Sequence, residues 1–246
     1  MSVDEEKAGT LDFRLETPQQ RYIDRRKKDF ILKLVAPRRG ERLLDVGCGD
    51  GEHLRLFQNA GCDVTGIDSS APLLEVAQQK LGHKAELYRG QAEHLPFSDN
   101  EFDIVSLISL ELTDDPERAL SEVIRVCRGR VFLGARNCYS AAALAQIIRG
   151  LFGSDMKERR YFHAAEFLGM VKRYLPDVDI EWGSVIFLPS WCLGFASGID
   201  EAIPSRRNPF GVFLGLSFPV SFHLRTMQEI IGAPFPIEAE GRQPAR

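Results

Sequence analysis

The sequence predicts an α/β fold: a doubly wound, mostly parallel seven-stranded sheet with an antiparallel edge strand. Three observations predict it. Between residues 41 and 151, short apolar runs alternate with helical patterns, and that alternation builds a parallel sheet covered by helices on both faces. A glycine-rich turn, Gly47-Cys48-Gly49-Asp50-Gly51, stands between the first run and the first helical pattern inside that stretch, which is where open sheets of this kind bind ligands. Two further strand-like runs come late in the chain. Joined by a short excursion, they add most simply antiparallel at the sheet edge.

The elements follow in order. Residues 1–18 are polar and expected to be loose. Residues 19–36 read as a helix, because Tyr22, Ile23, Phe30, Ile31, Leu34 and Val35 recur near helical spacing, and Pro37 ends it. The helix carries the run Arg25-Arg26-Lys27-Lys28, either a solvated face or an anion-binding patch. Arg42–Val46 is the first strand, Gly51–Ala60 a helix, and Cys62–Ile67 the second strand with Asp68 at its end. Ser69 or Ser70 caps the next helix, which has Pro72 in its first turn and stops at Gly82. Ala85–Tyr88 and Phe102–Leu107 are strands three and four. Asp115-Pro116 opens a helix whose apolar face is Ala119, Leu120, Val123, Ile124 and Cys127. Arg130–Gly134 is the fifth strand, and Ser140 caps a helix through Leu151. Val178–Leu188 and Gly211–Phe218 read as the last two strands, with a Pro/Gly-rich insert, residues 189–209, between them. Residues 233–246 lack periodicity and are expected to fray.

Composition bounds the function. The chain has 246 residues, ordinary globular content (44% hydrophobic, 27% charged) and a net charge of −4; its pI is near 5.8. A dedicated nucleic-acid binder is usually basic, so no nucleic-acid partner is expected. The five cysteines, Cys48, Cys62, Cys127, Cys138 and Cys192, are scattered without a CxxC or Cys/His cluster. Neither a zinc site nor a disulfide framework is expected, and free thiols fit a reducing cytoplasm. No apolar stretch reaches the roughly 18–20 residues of a membrane helix, and the polar start MSVDEEKAGT has no signal-peptide core.

The chemistry concentrates in three places. The first is Asp45-Val46-Gly47-Cys48-Gly49-Asp50-Gly51. Its glycines permit positive φ and close approach of a ligand to the backbone. The GxGxG spacing departs from the GxGxxG of dinucleotide folds, which disfavours a nicotinamide oxidoreductase. Asp45, at the strand end, would repel a pyrophosphate and suits a cationic, amine-bearing ligand. The second is Asp68, 19 residues after Gly49, at the distance where a carboxylate can accept from both ribose hydroxyls. Taken alone it is a helix cap or a surface acid. The third is the loop Gln91-Ala92-Glu93 after strand three, placed to read an adenine edge.

Over residues 41–135 the chain resembles the class I S-adenosylmethionine-dependent methyltransferases, and most of all the small-molecule branch that includes ubiquinone and menaquinone biosynthesis methyltransferases. The resemblance rests on LLDVGCGDG, GIDSS, RGQAEHLPFSDNEFDIV and LTDDPERALSEVIRV in that order. It implies the Rossmann-like methyltransferase fold and S-adenosylmethionine as donor, with S-adenosylhomocysteine as product. By position, Asp45 would hold the amino end of the methionine moiety, directly or through water. Gly47, Cys48, Gly49 and Gly51 would shape the loop beneath it. Asp68, with Ser69 beside it, would clasp the ribose, Gln91, Ala92 and Glu93 would border the adenine, and the stretch from Ser106 to Ser109 would line the wall where donor and acceptor meet. Three departures stand out: Gln91 where the family usually has Asp, a shortened turn at Arg128-Gly129, and Leu110-Glu111-Leu112 in place of a histidine-containing stretch.

The acceptor is expected to be a small molecule. O- or C-methylation is favoured, because Ser106-Leu107-Ile108-Ser109 stands where amino-group methylation carries an Asn/Asp-Pro-Pro-Tyr signature. No catalytic base is named by the sequence. Tyr22, Tyr161 and His163 are candidates by position, while His94 belongs with the adenine loop and reads as structural. Acceptor specificity is expected from residues 11–36 and from insertions 152–176 and 189–209, on a single domain of residues 19–232 whose residues 19–40 form a helical lid. The insert around Trp191 and Phe195 and the strand 211–218 are apolar, which suits either an apolar acceptor or packing at the sheet edge; Trp182 and Trp191 divide the same way. No acidic pair has metal spacing, so no metal is expected. The alternatives are a non-catalytic S-adenosylmethionine-binding module and a protein or RNA methyltransferase.

Overall fold

The computed structural model describes residues 17–138, 161–189 and 191–220. Seven strands form one sheet: β1 (Arg42–Val46), β2 (Asp63–Asp68), β3 (Ala85–Arg89), β4 (Phe102–Leu107), β5 (Cys127–Arg136), β6 (Glu181–Val185) and β7 (Phe213–Pro219). Their spatial order is β3-β2-β1-β4-β5-β7-β6. All pairs from β3 to β5 are parallel, and β7 pairs antiparallel with both β5 and β6. Strand order reverses beside β1, where β1 pairs β2 on one side and β4 on the other. The crevice at that reversal is the natural ligand site of an open sheet.

Six α-helices belong to the described residues: α1 (Pro18–Val35), α2 (Glu52–Asn59), α3 (Ala71–Leu81), α4 (Pro116–Val126), α5 (Ala164–Tyr174) and α6 (Leu193–Ala202). Alternation along the strands sorts the core into two layers. Leu43, Ile104 and Phe132 pack with Phe30, Ile31 and Val35 of α1 and with Leu54 and Phe57 of α2. Leu44, Val105 and Val131 pack with Ala119, Leu120 and Val123 of α4 and with Phe167 and Val171 of α5. The start of α1 is secured by a capping box, in which Thr17 and Gln20 each accept from the other's backbone N–H. Asp115 caps α4 by accepting from the N–H groups of Glu117 and Arg118.

The structure corrects several expectations. Arg128-Gly129 is not a turn: β5 begins at Cys127, directly where α4 ends. A Cβ at Gly129 would come within 2.3 Å of the Asp103 carbonyl oxygen, so only glycine lets β5 lie this close to β4. The strand read over 178–188 is confined to Glu181–Val185, because Ile186 takes a left-handed φ of 67° that breaks the ladder. Two helices were not foreseen. In α5, Ala164, Phe167, Met170 and Val171 bury a regular apolar face. In α6, Gly194 and Gly198 weaken intrinsic propensity, and burial of Leu193, Ala196 and Asp200 holds the helix instead. The helix read from Ser140 to Leu151, the start of the chain and the 233–246 tail lie outside the described residues. Among the described residues no helix is long and apolar enough to cross a membrane.

Candidate functional site

The site is assembled from the carboxyl ends of four neighbouring strands. After β1 the chain turns through Gly47, Gly49 and Gly51, with φ of 71°, 54° and 80°, a sequence of left-handed residues that side chains resist. The loop is pinned to β2, because Gly47 N–H and Cys48 N–H both donate to the Ile67 carbonyl, at 2.8 and 3.1 Å. Asp68 then locks it: one carboxylate oxygen accepts from Gly49 N–H and the other from Ser70 N–H, each at 2.8 Å. Each oxygen keeps a second acceptor position for a ligand.

The loops after β3 and β4 close the cleft from the other side. Gly90 N–H donates to the Asp68 carbonyl at 3.0 Å, which carries Gln91 and Ala92 over the ribose side. Glu93 binds the two loops together, its Oε1 accepting from the N–H groups of Asp114 and Asp115 at 3.0 and 3.2 Å. The result is a cleft of about 460 Å³, within the range of small-molecule and cofactor sites. Its walls include Gly47, Cys48, Gly49, Asp68, Ser69, Gln91, Ala92 and Glu93, all named from the sequence.

Other sequence candidates lie elsewhere. Gly51 is behind the wall, where a Cβ would meet Leu81 at 2.9 Å and Ala77 at 3.1 Å; it lets α2 approach α3. Ser106 does not line the cleft. It is fully buried and its hydroxyl donates to Asp45 Oδ1 at 2.5 Å, because its register on β4 opposes Asp45 rather than the loop. Asp45 is sealed beneath the loop, with Oδ2 buried and without a hydrogen-bond partner among the described residues. Burial pushes its carboxyl up to about 7, opposed by the Ser106 hydrogen bond and the Lys27 charge.

Tyr22 is turned away from the site. Its hydroxyl donates to the buried Asp200 Oδ2 at 2.9 Å and contacts the Ser197 carbonyl at 3.1 Å, which ties α1 to α6. Burial and the Asp200 carboxylate push its pKa up to about 12, so it is no base at neutral pH. His163 caps α5, its Nδ1 accepting from Glu166 N–H at 3.1 Å. Tyr161 lies in the segment that Phe162 attaches to the end of β5, through Phe162 N–H to the Arg136 carbonyl at 3.1 Å. The apolar residues of β7 are spent on the core, with Leu214, Leu216 and Phe218 buried. In the insert, Cys192, Leu193 and Ala196 pack inward while Trp191 and Phe195 are exposed.

Leu107 and Ser109, within the stretch expected to line the wall after strand four, do line it, while the sequence reading missed His53, Leu73, Leu112, Thr113 and Asp114. His53 follows the glycine loop immediately and could have been found by helical position. Burial, together with the Lys27 and Lys28 charges, lowers its pKa to about 3, so its imidazole is neutral. Among the described residues no group of three or more His, Cys, Asp or Glu could hold a metal ion.

This sheet order, with one antiparallel strand beside β5 and a glycine loop and ribose-type carboxylate at the reversal, defines the class I methyltransferase fold. Residues 44–133 match the family model described as a methyltransferase domain. It is 33% identical over 105 residues to a demethylmenaquinone methyltransferase of Renibacterium salmoninarum, covering 42% of this chain and 44% of that one. It is 32% identical over 146 residues to a malonyl-[acyl-carrier protein] O-methyltransferase of Pectobacterium atrosepticum, covering 58% and 57%. The chain thus spans about half the length of these curated relatives. The fold is shared with a solved S-adenosylmethionine-dependent methyltransferase, possibly a histamine N-methyltransferase, of Thermotoga maritima, with a TM-score of 0.59 at 19% identity over 81% of this chain and 91% of that one. The domain class implies S-adenosylmethionine as cofactor, and the cleft fits it: its volume suits a nucleoside joined to an amino acid, and Asp68 has acceptor positions to spare for vicinal hydroxyls.

Proposed function

We propose that this protein transfers a methyl group from S-adenosylmethionine to an oxygen or carbon of a small organic acceptor. The observation that carries the reading is Asp68, held by two backbone N–H groups with both oxygens available at the wall of the cleft. The named relatives support an organic acceptor, one being named for demethylmenaquinone and the other for O-methylation of malonyl-[acyl-carrier protein].

In this reading Asp68 binds the ribose, Gln91 and Ala92 border the adenine, and Gly47 and Gly49 bring backbone against the methionine portion. Asp45, buried below the loop, supplies a negative field for the amino group when it ionises. The bound donor supplies a sulfonium-activated methyl for in-line displacement. The protein's work is then alignment, which can contribute about 7–11 kcal/mol, and water exclusion by the loops that Glu93 ties together. Residues 152–176 and 189–209 are the segments where acceptor selection is placed.

Calorimetric titration with S-adenosylmethionine and S-adenosylhomocysteine tests the reading, with Asp68→Ala alongside and NADH as control. Binding of both ligands that collapses in Asp68→Ala is expected. No binding by the folded protein would overturn the assignment. Methyl-labelled donor with an acceptor panel then separates a working enzyme from a binding module.

A further inference from the structure

The basic run Arg25-Arg26-Lys27-Lys28 on α1 separates into different fates. Arg25 ion-pairs with Glu201 at 2.9 Å. Arg26 places Nε 3.8 Å from the buried Asp200 carboxylate. Lys28 is held between Asp24 at 2.5 Å and Glu52 at 2.9 Å. Lys27 has no carboxylate within ion-pair distance and no hydrogen-bond partner among the described residues; its ammonium lies over the ring of Phe213, 4.7 Å from the centroid.

The carboxylates that face Lys27 are each engaged by another group. Asp24 holds Lys28. Glu111, itself nearly buried, lies 3.5 Å from the Arg136 guanidinium and accepts from Arg136 N–H at 3.4 Å. Asp45 accepts from Ser106. Burial lowers the Lys27 pKa, with Arg136 adding to it and Glu111, Asp24 and Asp45 opposing. Lys27 is half-buried, and an ammonium over one ring face with no protein acceptor among the described residues keeps its N–H groups for a ligand.

Its position gives those N–H groups a use. Phe213 pairs with Arg136 at the carboxyl end of β5, Glu111 follows β4, and His53, which Lys27 faces electrostatically, lines the cleft. Asp68 ends β2, and β1 and β4 lie between β2 and β5. At the usual strand spacing the carboxyl ends of β2 and β5 are about 14 Å apart, and the cleft walls stop at the residues that follow β4. A nucleoside over β2 and β1 therefore leaves the edge of the cleft beside His53 and β4, next to Lys27, for a second molecule.

We propose that Lys27 anchors the methyl acceptor there by an anionic oxygen, either a carboxylate or an ionised phenol, and so selects acceptors by charge. The inference rests on the donor site proposed above. An anionic oxygen supplies the acceptor that no protein group among the described residues gives the ammonium, and charge-assisted bonds of this type are the strong ones.

The test uses the full chain saturated with S-adenosylhomocysteine, whose affinity is first measured by calorimetry. Two matched probe pairs are titrated by ligand-observed NMR: benzoate against benzamide, and 4-nitrophenolate against 4-nitroanisole. At least one anion should bind the wild type ten-fold or more tighter than its neutral twin, and the pair that responds identifies carboxylate or phenolate. Lys27→Met should erase the preference while holding S-adenosylhomocysteine within three-fold of wild type, and Lys27→Arg should keep most of it. Absence of a charge preference in the wild type, whether both probes of a pair bind or neither does, overturns the proposal, as does a preference that survives in Lys27→Met. Failure of the wild type to bind S-adenosylhomocysteine is read separately, in the calorimeter, and removes the donor site and this inference together.

Discussion

Ser106 and Asp45 face each other in register on adjacent strands, and the serine hydroxyl donates to the carboxylate at 2.5 Å in a fully buried pair. The second carboxylate oxygen is left without a partner among the described residues, directly below the glycine loop. An acidic group in that state is unstable when ionised and is waiting for a positive charge.

A stability signature follows. With its carboxyl raised to about 7 by burial, Asp45 holds a proton in the native state between its ordinary range and that value, whereas the unfolded chain has released it. Stability from this group therefore falls as pH rises through that window, by up to about 4 kcal/mol. Asp45→Asn removes the titration, so in the ligand-free protein its advantage over wild type should grow from pH 5 to pH 8. Urea denaturation at the two pH values checks this. Donor affinity should show the opposite trend, rising with pH through 7 in wild type and staying flat in Asp45→Asn.

Asp68 separates charge from shape. Asp68→Asn keeps the volume but can no longer accept with a full charge from Gly49, Ser70 and a ribose. Charge-assisted bonds contribute about 1.5–3 kcal/mol each, so donor affinity should fall about 10- to 100-fold in Asp68→Asn and further in Asp68→Ala, read by calorimetry.

Tyr22→Phe tests whether that hydroxyl is structural. Its loss removes one donor from the buried Asp200, which still accepts from Phe187 and Leu188 N–H groups. A loss of about 1–2 kcal/mol in stability is expected, with donor affinity unchanged. A variant as stable as wild type that loses turnover would return Tyr22 to the acceptor site.

Two glycines of one loop should respond differently. Gly51→Ala meets Leu81 and Ala77 as well as the strain of a left-handed φ, whereas a Cβ at Gly47 meets nothing within 4 Å. Strain alone is worth about 1–2 kcal/mol, and overpacking adds about 1–3. Gly51→Ala should therefore unfold at clearly lower denaturant than Gly47→Ala, while Gly47→Ala should act mainly on donor binding.

The five parallel strands, the glycine loop and Asp68 were legible because each is written in local pattern. Apolar runs broken by turn residues mark strands such as β1, β2 and β4 that are buried on both faces, and a loop that must adopt positive φ needs glycine whatever surrounds it. The shared wall of Gln91, Ala92 and Glu93 was legible for the same reason, since it follows a strand end directly. The α6 helix was not, because its glycines argue against a helix and only burial against α1 overrules them. Nor was the length of β5, whose start depends on how closely Gly129 lets it lie beside Asp103.

Sequence alone thus determined the alternating α/β order, the place of the cleft at the sheet's carboxyl edge and the residues that open onto it from strand ends. Tertiary structure alone decided which way individual polar side chains point. Ser106 turns to Asp45 through strand register, Tyr22 turns to Asp200 through the packing of α1 on α6, and Lys27 pairs with no carboxylate among the described residues while its neighbour Lys28 holds two. Local pattern specifies backbone because its forces act between near neighbours in the chain. The partner of a polar side chain is set by which distant group the packed sheet and helices bring within about 3 Å, and no stretch of sequence carries that distance.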